Sequence, residues 1–118
     1  MDNARDLLPL KPADFHVLLT LVDGPLHGYG IMKQVAQESG GEVRLEIGSL
    51  YRLLARLIAE GFLEMGEDDG RRRNYALTRL GHRALRAEAR RLAGLVELVR
   101  SRRLLPADRD APARAGDA

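Results

Sequence analysis

Apolar positions recur at helical spacing along most of the chain. Between Pro12 and the stop signal Asp23-Gly24-Pro25, the spacing of Phe15, Leu18, Leu19 and Val22 predicts a short helix with these four residues turned inward. Pro12 suits the first turn of that helix, where its missing N–H costs nothing. Gly28 to Ser39 reads as a second helix with Ile31, Met32, Val35 and Ala36 inward, ended by Gly40-Gly41. The EVRLE segment that follows, residues 42–46, reads as a lone extended strand. Leu50, Leu53, Leu54, Leu57 and Ile58 then fall at i, i+3, i+4, i+7 and i+8, the apolar stripe of a third helix beginning near Gly48 or Ser49 and ended by Gly61.

The period changes after Gly61. FLEMGE and RRRNYALT alternate around Asp68-Asp69-Gly70 and predict a hairpin. Thr78 is placed to cap a long helix running to about Arg103. On that helix Leu85, Ala89, Leu92, Val96 and Val99 form a narrow stripe, and Leu85, Leu92 and Val99 have the seven-residue spacing of a coiled-coil seam. The stripe needs a partner surface, which points to a homodimer, with packing back onto its own domain as the alternative. The order helix, helix, strand fragment, helix, hairpin, long helix defines the expected fold class: mainly α with a small β-hairpin, a winged helix-turn-helix plus a long C-terminal dimerisation helix. The expected domains are 1–77 for the winged helix-turn-helix, 78–104 for the dimerisation helix and 105–118 for a disordered tail, whose PADRDAPARAGDA offers nothing to bury.

Opposite its leucine stripe the third helix carries Arg52, Ala55, Arg56 and Ala59, flanked by Ser49 and Tyr51. Such a face suits the major groove of double-stranded DNA. Alanines allow close approach, arginines neutralise phosphates or bind guanine edges, and hydroxyls bond phosphates. Tyr51 also admits a reading as a boundary core residue. Arg71, Arg72 and Arg73 follow the hairpin turn and present dense positive charge at its tip, diluted by Glu67, Asp68 and Asp69. Charge supports this division. Residues 1–70 hold 6 Lys and Arg against 12 Asp and Glu, whereas residues 71–103 hold 11 Arg against 2 Glu. That asymmetry suits a polyanionic partner; an arginine-rich solvated helix is the competing explanation.

In LHGYGIMKQV at 26–35, GSLYRLLARLIAEGFLE at 48–64 and DGRRRNYALTRLGHRAL at 69–85, the chain resembles the PadR transcriptional regulators. The resemblance covers roughly residues 12–103. It implies a dimeric winged-helix DNA-binding protein, usually a repressor, whose long C-terminal helix forms the dimer. It places Ser49, Tyr51 and Arg52 at recognition-helix positions and Arg71 to Arg73 at the wing. The single helix after the hairpin is similar to the smaller subgroup of the family. Where many relatives have proline ahead of the Gly-Ser/Thr-Leu-Tyr motif, this chain has Ile47, preceded by Glu46. Some members of the small subgroup bind flat aromatic drugs between tryptophans at the dimer centre. This chain has no Trp, so that mode is not carried over. A small-molecule effector remains open, acting on the seam between the two long helices.

The remaining composition excludes other classes. With 118 residues the chain is expected to form one main core, and with 4% aromatic content that core rests on Leu, Ile, Val and Ala. Zero Cys removes disulfides, thiolate zinc sites and thiol switches. His16, His27 and His82 lack the paired spacing of a helical metal site, and the glycines of GPLHGYG do not follow a strand as a phosphate loop would. No nucleophile constellation stands out, so neither an enzyme nor a cofactor is expected. No apolar run approaches the roughly 18 residues of a membrane span, and MDNARDLLPL lacks the pattern of a secretory signal; a cytoplasmic protein without a membrane partner is expected. The rival to DNA binding is a winged-helix module that uses the same surface on protein.

Overall fold

The computed structural model describes residues 8–68 and 73–106. In chain order the elements are α1 (Pro12–Thr20), β1 (Leu26–His27), α2 (Gly28–Glu38), α3 (Ile47–Ala59), β2 (Leu63–Asp68), β3 (Arg73–Leu77) and α4 (Arg79–Ser101). The chain divides into two compact units, Met1–Glu88 and Ala89–Ala118.

Two glycine-closed turns organise the first unit. Gly40 (φ 64°) donates its N–H to the Gln37 carbonyl and Gly41 to that of Ala36. Gly61 (φ 88°) donates to Ile58 and Phe62 to Leu57. Both pairs form the Schellman arrangement, which satisfies the last carbonyls of α2 and α3 and needs a left-handed residue that glycine supplies at low cost. The leucine stripe of α3 is then directed inward: Leu50, Leu54 and Leu57 are buried with Val17, Leu18 and Leu21, Ile31 and Val35, and Phe62, Leu63, Tyr75, Ala84 and Leu85.

The hairpin belongs to a three-stranded antiparallel sheet in the order β1-β3-β2, with Leu26 opposite Tyr75 and Leu63 opposite Leu77. A bulge lies between Met65 and Asp68. The extra strand is β1, while the strand expected at EVRLE is not formed. Residues there are satisfied locally instead, the Val43 N–H donating to Ser39 Oγ at 2.9 Å and Ser39 Oγ to the Val43 carbonyl at 3.2 Å. A segment whose backbone is tied back to the preceding helix end cannot also join a ladder.

Helix α1 keeps Leu18 inward as expected but turns the rest of its buried face away from the one expected. Asp14, Val17, Leu18 and Leu21 are buried, whereas Leu19 and Val22 are exposed and Phe15 is half-buried. The apolar residues of α1 cover more than one face, so periodicity alone did not choose between them. The Asp14 carboxylate finds a guanidinium partner on α3, and this lets a charged residue take the inward position. α3 itself starts one residue early, at Ile47.

At the start of α4, the Thr78 N–H donates to the Phe62 carbonyl at 3.0 Å, Thr78 Oγ1 donates to the Gly61 carbonyl, and the Gly81 N–H donates to Thr78 Oγ1 at 3.0 Å. Thr78 therefore caps α4 as expected. Gly81 lets α4 approach closely, because a Cβ there would lie 2.2 Å from the Phe62 carbonyl oxygen. Further along α4, the Leu10 N–H donates to the buried Glu88 carboxylate at 3.3 Å. Leu85 is 6% exposed and packs in the chain's own core, a correction to its expected place in an intermolecular seam.

In the second unit α4 ends at Ser101, closed by the Arg103 N–H to the Arg100 carbonyl and the Leu104 N–H to that of Val99, with Arg103 left-handed (φ 63°). Leu95, Val96 and Leu98 are exposed on this part of the helix. Of the tail expected at 105–118, residues 107 onward lie outside the described residues.

Gly81→Ala should lower stability by about 3 kcal/mol or more, because the clash is with backbone that cannot rotate away. Gly94→Ala, where an added Cβ meets nothing within 4 Å, should raise it by about 0.5–1 kcal/mol. Thermal or urea unfolding of the two variants checks both signs.

Candidate nucleic-acid interface

Because Leu50, Leu54 and Leu57 are inward, the opposite face of α3 is presented to solvent. Tyr51 is 47% exposed, Arg52 and Ala55 are exposed, and Ser49 lies half-buried at the edge. Arg52 reaches back toward Ser49 Oγ, with Nη2 at 3.5 Å, a weak contact that leaves the guanidinium available.

Tyr51 is positioned from below. A Cβ on Gly28 would come within 2.8 Å of the Tyr51 hydroxyl, so the phenol lies across the first residue of α2 and would have to shift for any larger residue there. This accounts for both readings of Tyr51: one edge packs on α2 and the rest is open. Burial pushes the Tyr75 phenol above its ordinary range, the Tyr51 phenol adds to that rise, and Arg73 opposes it. Tyr51 of α3 and Arg73 of β3 therefore both lie near Tyr75. Arg73 Nη1 also donates to Met65 Sδ at 3.3 Å. Arg71 and Arg72 lie outside the described residues.

Arg56 stays partly exposed but is held in ion pairs. Its Nη2 donates to Asp14 Oδ1 at 2.7 Å, and Nη1 pairs with Glu60 Oε1 at 3.2 Å. The Asp14 side chain is 7% exposed, so this guanidinium neutralises a nearly buried carboxylate. The Asp14 hydrogen bond raises the pKa of Arg56 and outweighs the desolvation that lowers it. Spacing places Arg52 and Arg56 together on the helix; the tertiary partner separates their roles. A groove of about 530 Å³ opens beside the ion pair, lined by Leu10, Lys11, Asp14, Arg56, Phe62 and Leu80 among others.

Three exposed residues were not among those expected from the sequence. Tyr29 (63% exposed) and Lys33 lie one helical turn apart on α2, opposite the inward Ile31 and Val35. Their spacing on the helical wheel was the available signal. Ile47, 61% exposed, begins α3. Glu46 occupies the N-cap position of that helix without a side-chain capping bond. Among the described residues no group of three or more His, Asp or Glu is placed to hold a metal ion, and no helix is long and apolar enough to cross a membrane.

The two arginines should separate in a stability measurement. Arg56→Ala strands the Asp14 carboxylate and should cost about 1–3 kcal/mol. Arg52→Ala should change stability by less than about 0.5 kcal/mol, as for other exposed positions. Equal melting temperatures for the two variants would contradict the division.

Comparison with known proteins gives matches of both sequence and fold. Residues 17–87 match the Transcriptional regulator PadR-like family. An uncharacterised 37.1 kDa protein of transposon TN4556 from Streptomyces fradiae is 46% identical over 83 residues; the match takes in 70% of this chain and spans 24% of that protein's length. A PadR family transcription regulator from Clostridium difficile superposes with a TM-score of 0.67 at 21% identity, over 77% of this chain and 97% of that one, a likeness of fold. Bacillus subtilis PadR, in a structure with operator DNA, gives a TM-score of 0.55 at 26% identity, over 66% of this chain and 46% of that one. With a family match that takes in its helices α2 and α3, the sheet and the start of α4, the chain belongs to the PadR-like family of transcriptional regulators.

Proposed function

We propose that this regulator binds a pseudo-palindromic operator as a homodimer and represses transcription. The observation that carries the reading is the solvent face of α3: Tyr51, Arg52 and Ala55, edged by Ser49, stand clear while the leucine stripe is committed to the core. Inserted in a major groove, Arg52 reads a guanine edge, Ala55 permits close approach, and the Ser49 and Tyr51 hydroxyls hold phosphates. Arg73, with Arg71 and Arg72, supplies charge to the backbone or the minor groove. Tyr29 and Lys33 extend the contact onto α2. Arg56 is left out of this set because Asp14 and Glu60 hold it. The operator complex of Bacillus subtilis PadR supports DNA as the partner.

The dimer rests on the second unit. Leu92, Leu95, Val96 and Val99 follow i, i+3, i+4 and i+7 on α4, and Leu95 and Val96 are exposed. A second copy of the same stripe covers them, with Ala89 at its start. Two such chains place their α3 helices in successive major grooves, about one helical turn apart. A small-molecule effector seated in the groove beside Asp14 and Arg56 would bear on the end of α3 and on Leu80 of α4.

Selection of bound duplexes from a random pool, followed by titration, tests the DNA reading. Arg52→Ala should cost about 1–3 kcal/mol on the selected duplex and relax its preference at one base. Replacing Arg71, Arg72 and Arg73 together with Ala should weaken selected and random duplexes alike, and should flatten the salt dependence between roughly 50 and 200 mM. Wing variants with undiminished affinity for both duplexes would contradict the assignment.

Leu92→Arg should yield a folded monomer in sedimentation, because an unpaired charge buried at the seam outweighs a small interface. Operator binding should then fall by about a hundredfold as tethering of the two heads is lost. A variant that still dimerises and binds normally would contradict the seam.

A further inference from the structure

We infer that Ile47 is a specificity-determining residue that reads the 5-methyl group of thymine in the major groove. The inference rests on the proposed DNA reading and names a feature of the base that α3 recognises. Every other large aliphatic residue of α3 is buried or packed against the core: Leu50, Leu54 and Leu57 fully, Leu53 and Ile58 in part. Ile47 alone among them is turned out, 61% exposed. It lies one and two helical turns before Tyr51 and Ala55, which are also exposed, so the three line one side of the helix. On the helical wheel Ile47 lies beside Tyr51, at the border between the leucine stripe and the outer face, and its place in the first turn of α3 leaves it open to solvent.

The neighbouring acid sets what this end of the helix can face. Glu46 is exposed at the N-cap and makes no capping bond, and among the described residues its carboxylate takes part in no hydrogen bond or ion pair. An unneutralised carboxylate repels a phosphate, so Ile47, directly beside Glu46, is poorly placed against the backbone, whereas the phosphate contacts proposed for Ser49 and Tyr51 lie further along the helix. Base edges remain. On the major-groove edge, the apolar feature that an aliphatic side chain can distinguish is the thymine methyl, since the other groups presented there are hydrogen-bond donors and acceptors. Contact between that methyl and the Ile47 side chain removes both from water, while cytosine at the same position offers no methyl to cover.

Uracil-for-thymine duplexes test this atom by atom, because uracil keeps base pairing and loses only the methyl. The selected duplex is remade with uracil at each thymine in turn and titrated with the wild-type chain, Ile47→Ala and Ile47→Val. The wild type should lose about fourfold in affinity at one thymine of each half-site, the scale of one buried methyl-sized group. Ile47→Ala should bind the thymine duplex more weakly and become indifferent to uracil there, while Ile47→Val should keep most of the sensitivity. Because Ile47 is exposed, neither change should alter the melting temperature, which is measured alongside. A wild type indifferent to uracil at every position overturns the inference, and so does an Ile47→Ala chain that keeps the wild-type sensitivity. Failure to enrich any duplex from the random pool sinks the DNA reading itself, and this inference with it. Enrichment without uracil sensitivity leaves the DNA reading standing and removes Ile47 from it.

Discussion

The close approach of α4 to the turn after α3 is the contact on which the rest of the first unit depends. Three elements meet there within a few residues. Gly61 closes α3, Phe62 starts the path into β2, and Thr78 caps α4 while bonding back to both. The absence of a side chain at Gly81 is what permits the approach, since a Cβ would sit 2.2 Å from the Phe62 carbonyl oxygen. The end of α3, the base of the wing and the start of α4 thus share one hydrogen-bonded junction. A displacement of α4 at this point is transmitted to backbone atoms, because no flexible side chain lies between them.

That junction has a consequence for the solvent face of α3. With the helix held at its C-terminal end by Gly61 and along its length by the leucine stripe, its outer residues are presented by packing rather than by their own contacts. Tyr51 receives a further constraint from Gly28 of α2, and Arg56 is drawn away by Asp14. The two arginines of the helix therefore divide between tasks. Arg56 balances a buried charge, at a site where loss of either partner leaves the other unsatisfied. Among the described residues Arg52 makes a long contact to Ser49 that leaves its guanidinium available to a ligand.

The second unit follows different physics. From Ala89 onward α4 is helical without the buried contacts that secure its first half, and it leaves Leu95, Val96 and Leu98 exposed. This part of the helix leaves apolar surface open to solvent, whereas the first unit buries its core within the chain. The proposed division between a DNA-reading head and a helix-mediated dimer follows from that contrast in burial.

Much of this was determined locally. The leucine stripe of α3, the glycine pairs at 40–41 and near 61, the alternating strands and the Thr78 cap are short-range signals, each set by a few neighbouring residues, and the fold class was legible from them. Ser49, Tyr51, Arg52 and Ala55 were legible as the outer face for the same reason: on a helix, the inward stripe defines its opposite. The tertiary structure decided what depends on residues distant in sequence. The burial of α1 turned on whether Asp14 could reach Arg56, 42 positions away. The third strand formed at Leu26–His27 because β3 lay beside it, not because two residues carry a strand pattern. Leu85 shares the seven-residue spacing of Leu92 and Val99, yet it falls in the core because α4 first packs on its own unit. Periodicity names a face; only the assembled neighbours determine what that face meets.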